Sequence, residues 1–282
     1  MNISKIGVLG AGTMGAGIAQ VSVEAGYNVI LVDIVPPVIE KATKSMNKSW
    51  SKAVEKGKKT AEDIAKYSAL LTTGTNIKDF QDCDIVIEAI IENMDLKKKV
   101  FKELDEILPP DAILASNTSA LSITEIAAAT SRPDKMVGMH FFNPVPAMKL
   151  VEVIPGAMTS DAVVDATADL AAKIGKEPVK AKESPGFIVN RILIPYMNEA
   201  AIAFQEGIAP AAEIDKAMKL GAGMPMGPLA LADLVGIDVV LMVCEYFWAE
   251  FGDSKYRPSL AFKQKVRAGH LGMKTGKGFY DY

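Results

Sequence analysis

Over roughly the first 180 residues, short apolar runs rich in β-branched side chains alternate with longer amphipathic stretches. KIGVLG (5–10), NVILVD (28–33), DIVIEAI (84–90), AILAS (112–116) and KMVGMHFF (135–142) read as buried strands, and the segments between them carry helical spacing. Near-continuous apolar strands separated by helices predict an α/β fold with a mostly parallel sheet covered on both faces. KLVEVI (149–154) and KEPVKAK (176–182) predict further strands at the end of that sheet.

The pattern changes at about residue 183. The stretch ESPGFIVNRILIPYMNEAAIAFQEG opens with Ser-Pro-Gly and then holds an apolar stripe at Ile188, Ile192, Pro195, Tyr196, Ala200 and Ala203, ending at Gly207. This predicts a long helix with a C-terminal glycine and a kink at Pro195. Two later stretches, 209–223 and 228–251, continue in helical register. The expected division is an α/β domain over 1–182 and an all-helical domain over 183–282.

Composition narrows the function classes. With 49% apolar and 23% charged residues and a net charge of -3, the 282-residue chain can bury a large core, and neither a disordered tail nor a basic nucleic-acid binder fits it. Cys83 and Cys244 lie far apart without a CxxC partner, so two reduced thiols are expected and no metal site. The first strand begins almost at the N-terminus, and no apolar run approaches the ~20 residues of a membrane helix. A cytoplasmic protein without membrane or nucleic-acid partners is expected.

Chemistry enters with GVLGAGTMGAGIAQ. Gly10, Gly12 and Gly15 have G-x-G-x-x-G spacing directly after a strand and at the opening of a helix, and Asp33 ends the next strand. The first glycine makes the tight turn, the second admits a pyrophosphate to the backbone, and the third lets helix and strand pack. Residues Gly10, Ala11, Gly12, Thr13, Met14 and Gly15 thus predict a phosphate cradle on a helix N-terminus. Asp33 would accept bonds from the ribose hydroxyls and repel a 2'-phosphate, which favours NAD over NADP.

Between that strand and the next, Lys41, Lys44, Lys48, Lys52 and Lys56 share one helix face, while Ala42, Met46, Trp50 and Ala53 share another. Such a stripe is most often solvated surface. Its place at the mouth of a nucleotide-binding sheet nevertheless suggests a handle for an anionic ligand carrying several phosphates.

The chain has two histidines. His140 ends a predicted strand, so it should project into the crevice beyond the carboxyl ends of the strands, where Asn117, Thr118 and Ser119 also fall. Glu152 lies on the next strand. If FNPVPA turns the chain back, the two side chains can meet, and a histidine oriented by a carboxylate is a ready acid-base group. Taken alone, a histidine at a strand end is more often a packing residue than a catalytic one. His270 has no carboxylate nearby in sequence and reads as surface or packing.

The motifs GAGTMGAGIAQ, IEAIIEN, ASNTSALSI, MHFFNPVPAMKLVEV, PGFIVNR, AMKLGAGMPMGP and GKGFYDY occur in order along essentially the whole chain. Together they resemble the successive signatures of the L-3-hydroxyacyl-CoA dehydrogenases. Ala120 departs from the pattern, since relatives often carry a second serine there.

The resemblance implies a Rossmann-type domain with a helical hairpin inserted after the second strand, followed by a helical dimerisation domain. It implies NAD(H)-linked interconversion of acetoacetyl-CoA and (S)-3-hydroxybutyryl-CoA, with His140 as general acid-base, Glu152 its orienting partner, and Ser119 and Asn190 donors near the reacting oxygen. It places Glu92, Lys97, Ser119, Asn143 and Lys274 at the cofactor, and Ser49, Lys52 and Lys56 at or beside coenzyme A. For Glu92 and Lys97 the sequence alone leaves open an ordinary alternative, a solvated pair near a helix start. The competing readings are a sugar-acid dehydrogenase, which the lysine stripe opposes, and a non-enzymatic NADH-binding structural protein, which the set of Ser119, His140, Glu152 and Asn190 opposes. A homodimer or higher homo-oligomer through the helical domain is expected.

Overall fold

The computed structural model describes residues 2–282, which divide into two compact units between Ser184 and Pro185. The first unit opens with β1 (Lys5–Leu9), α1 (Thr13–Glu24) and β2 (Asn28–Val32). A helical pair, α2 (Pro36–Glu55) and α3 (Ala61–Leu70), then leads into β3 (Leu71–Gly74). The chain continues through β4 (Ile85–Glu88), α4 (Met94–Ile107), β5 (Ile113–Ser116), α5 (Ile123–Ala127), β6 (Met136–Phe141), β7 (Leu150–Pro155), α6 (Asp161–Lys173) and β8 (Glu177–Lys180).

These strands form one eight-stranded sheet in the order β3-β2-β1-β4-β5-β6-β7-β8. All neighbours are parallel except β6 and β7, whose short connection lets them run antiparallel. The inner strands β4, β5 and β6 are buried throughout, as continuous apolar runs require when helices cover both faces. The chain builds outward from β1 to β3 and then returns to set β4 against the other side of β1. That reversal opens a crevice at the carboxyl ends of β1 and β4, where open α/β sheets bind ligands.

Strand β3 has no counterpart among the predicted strands. Its four residues, LTTG, follow helix α3 without an intervening turn residue, and both threonines are exposed at the sheet edge, so no apolar run marks it. The α2/α3 pair is fastened to the sheet layer through α1, because Glu24 accepts hydrogen bonds from Trp50 Nε1 at 2.8 Å and Lys59 Nζ at 3.0 Å.

The chain leaves the first unit two residues later than expected. The Glu183 carboxylate accepts from Ser122 Oγ at 2.7 Å and from the Thr124 amide at 2.8 Å, which holds it to the start of α5.

The second unit is helical: α7 (Val189–Gln205), α8 (Ala211–Gly221), α9 (Pro228–Val235), α10 (Ile237–Phe251) and α11 (Leu260–Arg267). Helix α7 runs unbroken past Pro195. Its buried side differs from the expected stripe: Ile192 is 67% exposed, while Ile194, Met197, Ala200 and Ala201 enter the core. Apolar residues of α7 lie on more than one face, so more than one stripe satisfies helical spacing, and packing against α9, α10 and α11 selects among them. The tail is pinned by the buried Asp233, which accepts from the Phe279 amide at 2.9 Å and the Tyr280 amide at 3.0 Å.

Candidate active site

The glycine turn follows β1 at the sheet's reversal. Gly10 has φ +100, and a Cβ there would stand 2.7 Å from the Ala89 carbonyl oxygen. A Cβ on Gly15 would overlap the Gly10 carbonyl at 1.7 Å, so α1 can lie this close to β1 only without a side chain. At Gly12 a Cβ would meet nothing within 4 Å, which leaves open space in front of the α1 N-terminus, and no side chain caps that helix. Uncapped amides facing open space are what a pyrophosphate requires.

Asp33 sits just beyond β2, its Oδ2 accepting from the Ala11 amide at 2.8 Å and its Oδ1 from the Val35 amide at 2.9 Å. Beside it lies a cavity of ≈ 810 Å³ walled by Gly12, Thr13, Asp33, Ile34, Ile77 and Ile91, among others. Ile34 and Ile91 are 84% and 71% exposed, an apolar shelf suited to a flat base. Sequence spacing did not single out Ile34, Ile77 or Ile91, because their common wall forms only when the loops after β2, β3 and β4 converge. The cradle, the carboxylate and the shelf fit an adenine dinucleotide.

A second cavity, of ≈ 410 Å³, opens on the other side of the same turn. Gly12, Thr13, Gln20, Ser49 and Asn143 contribute to its wall, so two elements expected at different ligands meet here. Lys41, Lys44, Lys48 and Lys52 are exposed on α2 and Lys56 is exposed at its C-terminal end, while the buried side of the helix is Ile39, Ala42, Met46 and Trp50. Gln20 Nε2 donates to Ser49 Oγ at 3.3 Å and to Glu24 at 2.8 Å.

His140 and Glu152 are paired residues across the antiparallel β6/β7 ladder, with His140 Nδ1 2.7 Å from Glu152 Oε2. His140 is 6% exposed and Glu152 fully buried, so solvent competes little for this contact. The Phe142 ring lies 4.3 Å from the imidazole, centroid to centroid. Asn117 Oδ1 accepts from the Phe141 amide at 2.9 Å, which ties the end of β6 to the polar turn after β5.

In that turn, Glu92 Oε1 accepts from Thr118 Oγ1 at 2.6 Å, from the Ser119 amide at 2.8 Å and from Ser119 Oγ at 3.2 Å. Lys97 is not solvated, contrary to the plain reading of its spacing: its side chain is 1% exposed. Its ammonium is 2.6 Å from Glu88 Oε1 and 3.4 Å from Glu92 Oε2. Glu88 was overlooked. Its only signal was an acidic residue at the end of an otherwise apolar strand. Asn190 lies in the first turn of α7, and Lys274 pairs with Asp238 at 2.6 Å, both within the helical unit.

Comparison with known proteins agrees with this arrangement. Residues 5–184 match the 3-hydroxyacyl-CoA dehydrogenase NAD binding domain, and residues 186–282 match the C-terminal domain of the same family. The chain is 51% identical to a 3-hydroxybutyryl-CoA dehydrogenase of Clostridioides difficile, with 99% of each covered. It is 42% identical to the human mitochondrial hydroxyacyl-coenzyme A dehydrogenase, over 99% of this chain and 91% of the relative. Among solved structures, the (S)-3-hydroxybutyryl-CoA dehydrogenase of Ralstonia eutropha superposes with a TM-score of 0.97 at 48% identity, covering 100% of this chain and 99% of the other. The chain therefore belongs to the 3-hydroxyacyl-CoA dehydrogenase family, and its first unit is an NAD-binding domain.

Proposed function

We propose that this enzyme interconverts acetoacetyl-CoA and (S)-3-hydroxybutyryl-CoA with NAD(H), His140 moving the proton. The observation that carries this reading is the 2.7 Å contact between His140 Nδ1 and Glu152, on the sheet whose reversal holds the glycine cradle.

NAD(H), when bound, supplies or accepts the hydride at the substrate's C3. Glu152 holds a proton on Nδ1, so Nε2 is the atom that exchanges a proton with the C3 oxygen. In reduction, the imidazolium gives its Nε2 proton to the developing alkoxide. In oxidation, the neutral ring takes the hydroxyl proton from the same oxygen. Ser119 and Asn190 donate hydrogen bonds to that oxygen, whose charge grows in the transition state, where such contacts count most. Thr13, Met14, Glu92, Asn143 and Lys274 are assigned to the cofactor along with the glycine turn and Asp33. Ser49, Lys52 and Lys56 are assigned to coenzyme A, where exposed ammonium groups meet phosphates.

The helical unit serves substrate binding and association with a second copy. Ile192, Leu220 and Trp248, at 67%, 79% and 42% exposure, are apolar side chains of this unit available for such contacts. Among the described residues no helix is long and apolar enough to cross a membrane. Two buried, unpaired thiols fit work in the reducing cytoplasm.

The test follows NADH absorbance: its loss with acetoacetyl-CoA and longer 3-ketoacyl-CoA esters, NADPH serving as the alternative reductant, and its gain with NAD+ and a sugar acid. Turnover of acetoacetyl-CoA, inhibited by free coenzyme A, is expected. Turnover of the sugar acid alone, indifferent to coenzyme A, would overturn the reading.

A further inference from the structure

We infer that Glu88, which is fully buried, is a positioning residue for the reaction: through Lys97 and Glu92 it sets the turn that carries Ser119. The inference rests on the proposed role of Ser119 as a donor to the reacting oxygen.

The register of β4 against β5 places Glu88 beside Ser116, both at the carboxyl ends of their strands. Two routes lead from the Glu88 carboxylate into the 117–119 turn. On one side Oε2 accepts from Ser116 Oγ at 2.7 Å, and that hydroxyl in turn accepts from the Thr118 amide at 3.2 Å. On the other, Oε1 takes the Lys97 ammonium at 2.6 Å, and Lys97 reaches Glu92, whose second oxygen holds Thr118 and Ser119. The Ile90 amide donates to the same Oε1 at 2.7 Å, so Glu88 is itself held in place.

The distances rank these contacts. Lys97 leans to Glu88 at 2.6 Å and stands 3.4 Å from Glu92, so Glu88 competes for the ammonium and leaves Glu92 as the acceptor for the serine turn. Ser119 Oγ makes the longest of the three bonds to Glu92, 3.2 Å, while its amide makes a 2.8 Å bond. Glu92 thereby holds the backbone of the turn more closely than the Ser119 hydroxyl. Two carboxylates sharing one buried ammonium stabilise a fold poorly, because desolvation offsets their attraction. Geometry at Ser119 is the return on that arrangement. Neutralising Glu88 would release Lys97 onto Glu92 and draw the acceptor away from the turn.

The experiment is a double-mutant cycle in the full-length enzyme, combining Glu88→Gln with Ser119→Ala and measuring kcat, KM for acetoacetyl-CoA, and Tm. Glu88→Gln is expected to lower kcat about ten- to a hundredfold with a smaller change in KM. In the Ser119→Ala background the same change should lower kcat less than about threefold, since its route is already cut. Equal losses in both backgrounds would reduce Glu88 to a structural residue and overturn the inference. If Glu88→Gln lowers Tm sharply, Glu88→Gln combined with Lys97→Met removes both ions of the close pair and enters the same cycle. Recovery of kcat toward the parent's is expected in that double variant, since no ammonium is left to draw Glu92 from the turn, and a kcat no better than that of Glu88→Gln also overturns the inference. A normal kcat in Ser119→Ala would instead sink the proposed role of Ser119, and the two failures are thus told apart.

Discussion

His140 Nδ1 and Glu152 Oε2 lie 2.7 Å apart because the β6/β7 ladder sets the two residues directly opposite each other. Side chains of a cross-strand pair stand on the same face of a sheet, so the pairing follows from register and not from any loop conformation. A slip of one residue would send one of the two to the other face.

Replacing His140 by Gln removes the proton carrier while keeping a polar side chain of similar reach. Turnover should fall by about 10²-fold or more, with NADH affinity within about twofold of the parent. Steady-state assays and a fluorescence titration of NADH measure the two separately, and a variant with near-normal kcat takes His140 out of the mechanism.

Glu152→Gln tests the orienting contact. An amide in place of the carboxylate can donate to Nδ1 and so favours the tautomer with its proton on Nε2, the wrong one for a base. Oxidation of 3-hydroxybutyryl-CoA should slow by about tenfold at the least, with KM for the ester little changed. A kcat equal to the parent's would show that the ring needs no anion beside it.

Asp33 holds the Ala11 and Val35 amides as well as facing the base-binding cavity. The four residues that follow, Ile34, Val35, Pro36 and Pro37, offer no cation for a 2'-phosphate. Asp33→Ala should raise KM for NADH about tenfold and narrow the gap between NADH and NADPH without creating a strong NADPH enzyme. Coenzyme kinetics with both nucleotides decide this. An unchanged NADH/NADPH ratio would remove Asp33 from selectivity.

The exposed lysines of α2 should act on KM for the CoA ester and not on kcat. Lys52→Ala with Lys56→Ala is expected to raise that KM about three- to tenfold at low salt, with a smaller effect at high salt, since exposed charges are screened over about 8–10 Å. A KM that ignores both substitutions would return the stripe to solvated surface.

Burial pushes the Cys83 and Cys244 thiols up to about 12 each. At pH 8 only about one thiol in 10⁴ would be the reactive thiolate, so iodoacetamide should leave the native enzyme unmodified and active. Denaturation should then expose two modifiable thiols, which mass spectrometry counts. Rapid labelling of the native chain would contradict the burial of these side chains.

What could be read without coordinates was whatever the chain writes locally. The glycine turn, the apolar strands and the helical second half depend on spacings within a few residues, and steric demands at Gly10 and Gly15 act over the same range. Strand β3 escaped because an edge strand with two exposed threonines carries no apolar run, and the expected α7 stripe met the buried face only in part because apolar residues on more than one face of a helix leave that choice to its neighbours.

The amino-acid order by itself determined that a phosphate cradle, a strand-end histidine and a nearby glutamate would exist. Only the tertiary structure decided which charges meet. Glu88, Lys97 and Ser119 come from a strand, a helix and a turn spread over 32 residues, and a buried ion's partner is chosen by where desolvation leaves it no alternative. Burial is a property of the whole packed chain, so Lys97, one of several lysines along α4, could be told from its exposed neighbours only once the sheet had closed over it.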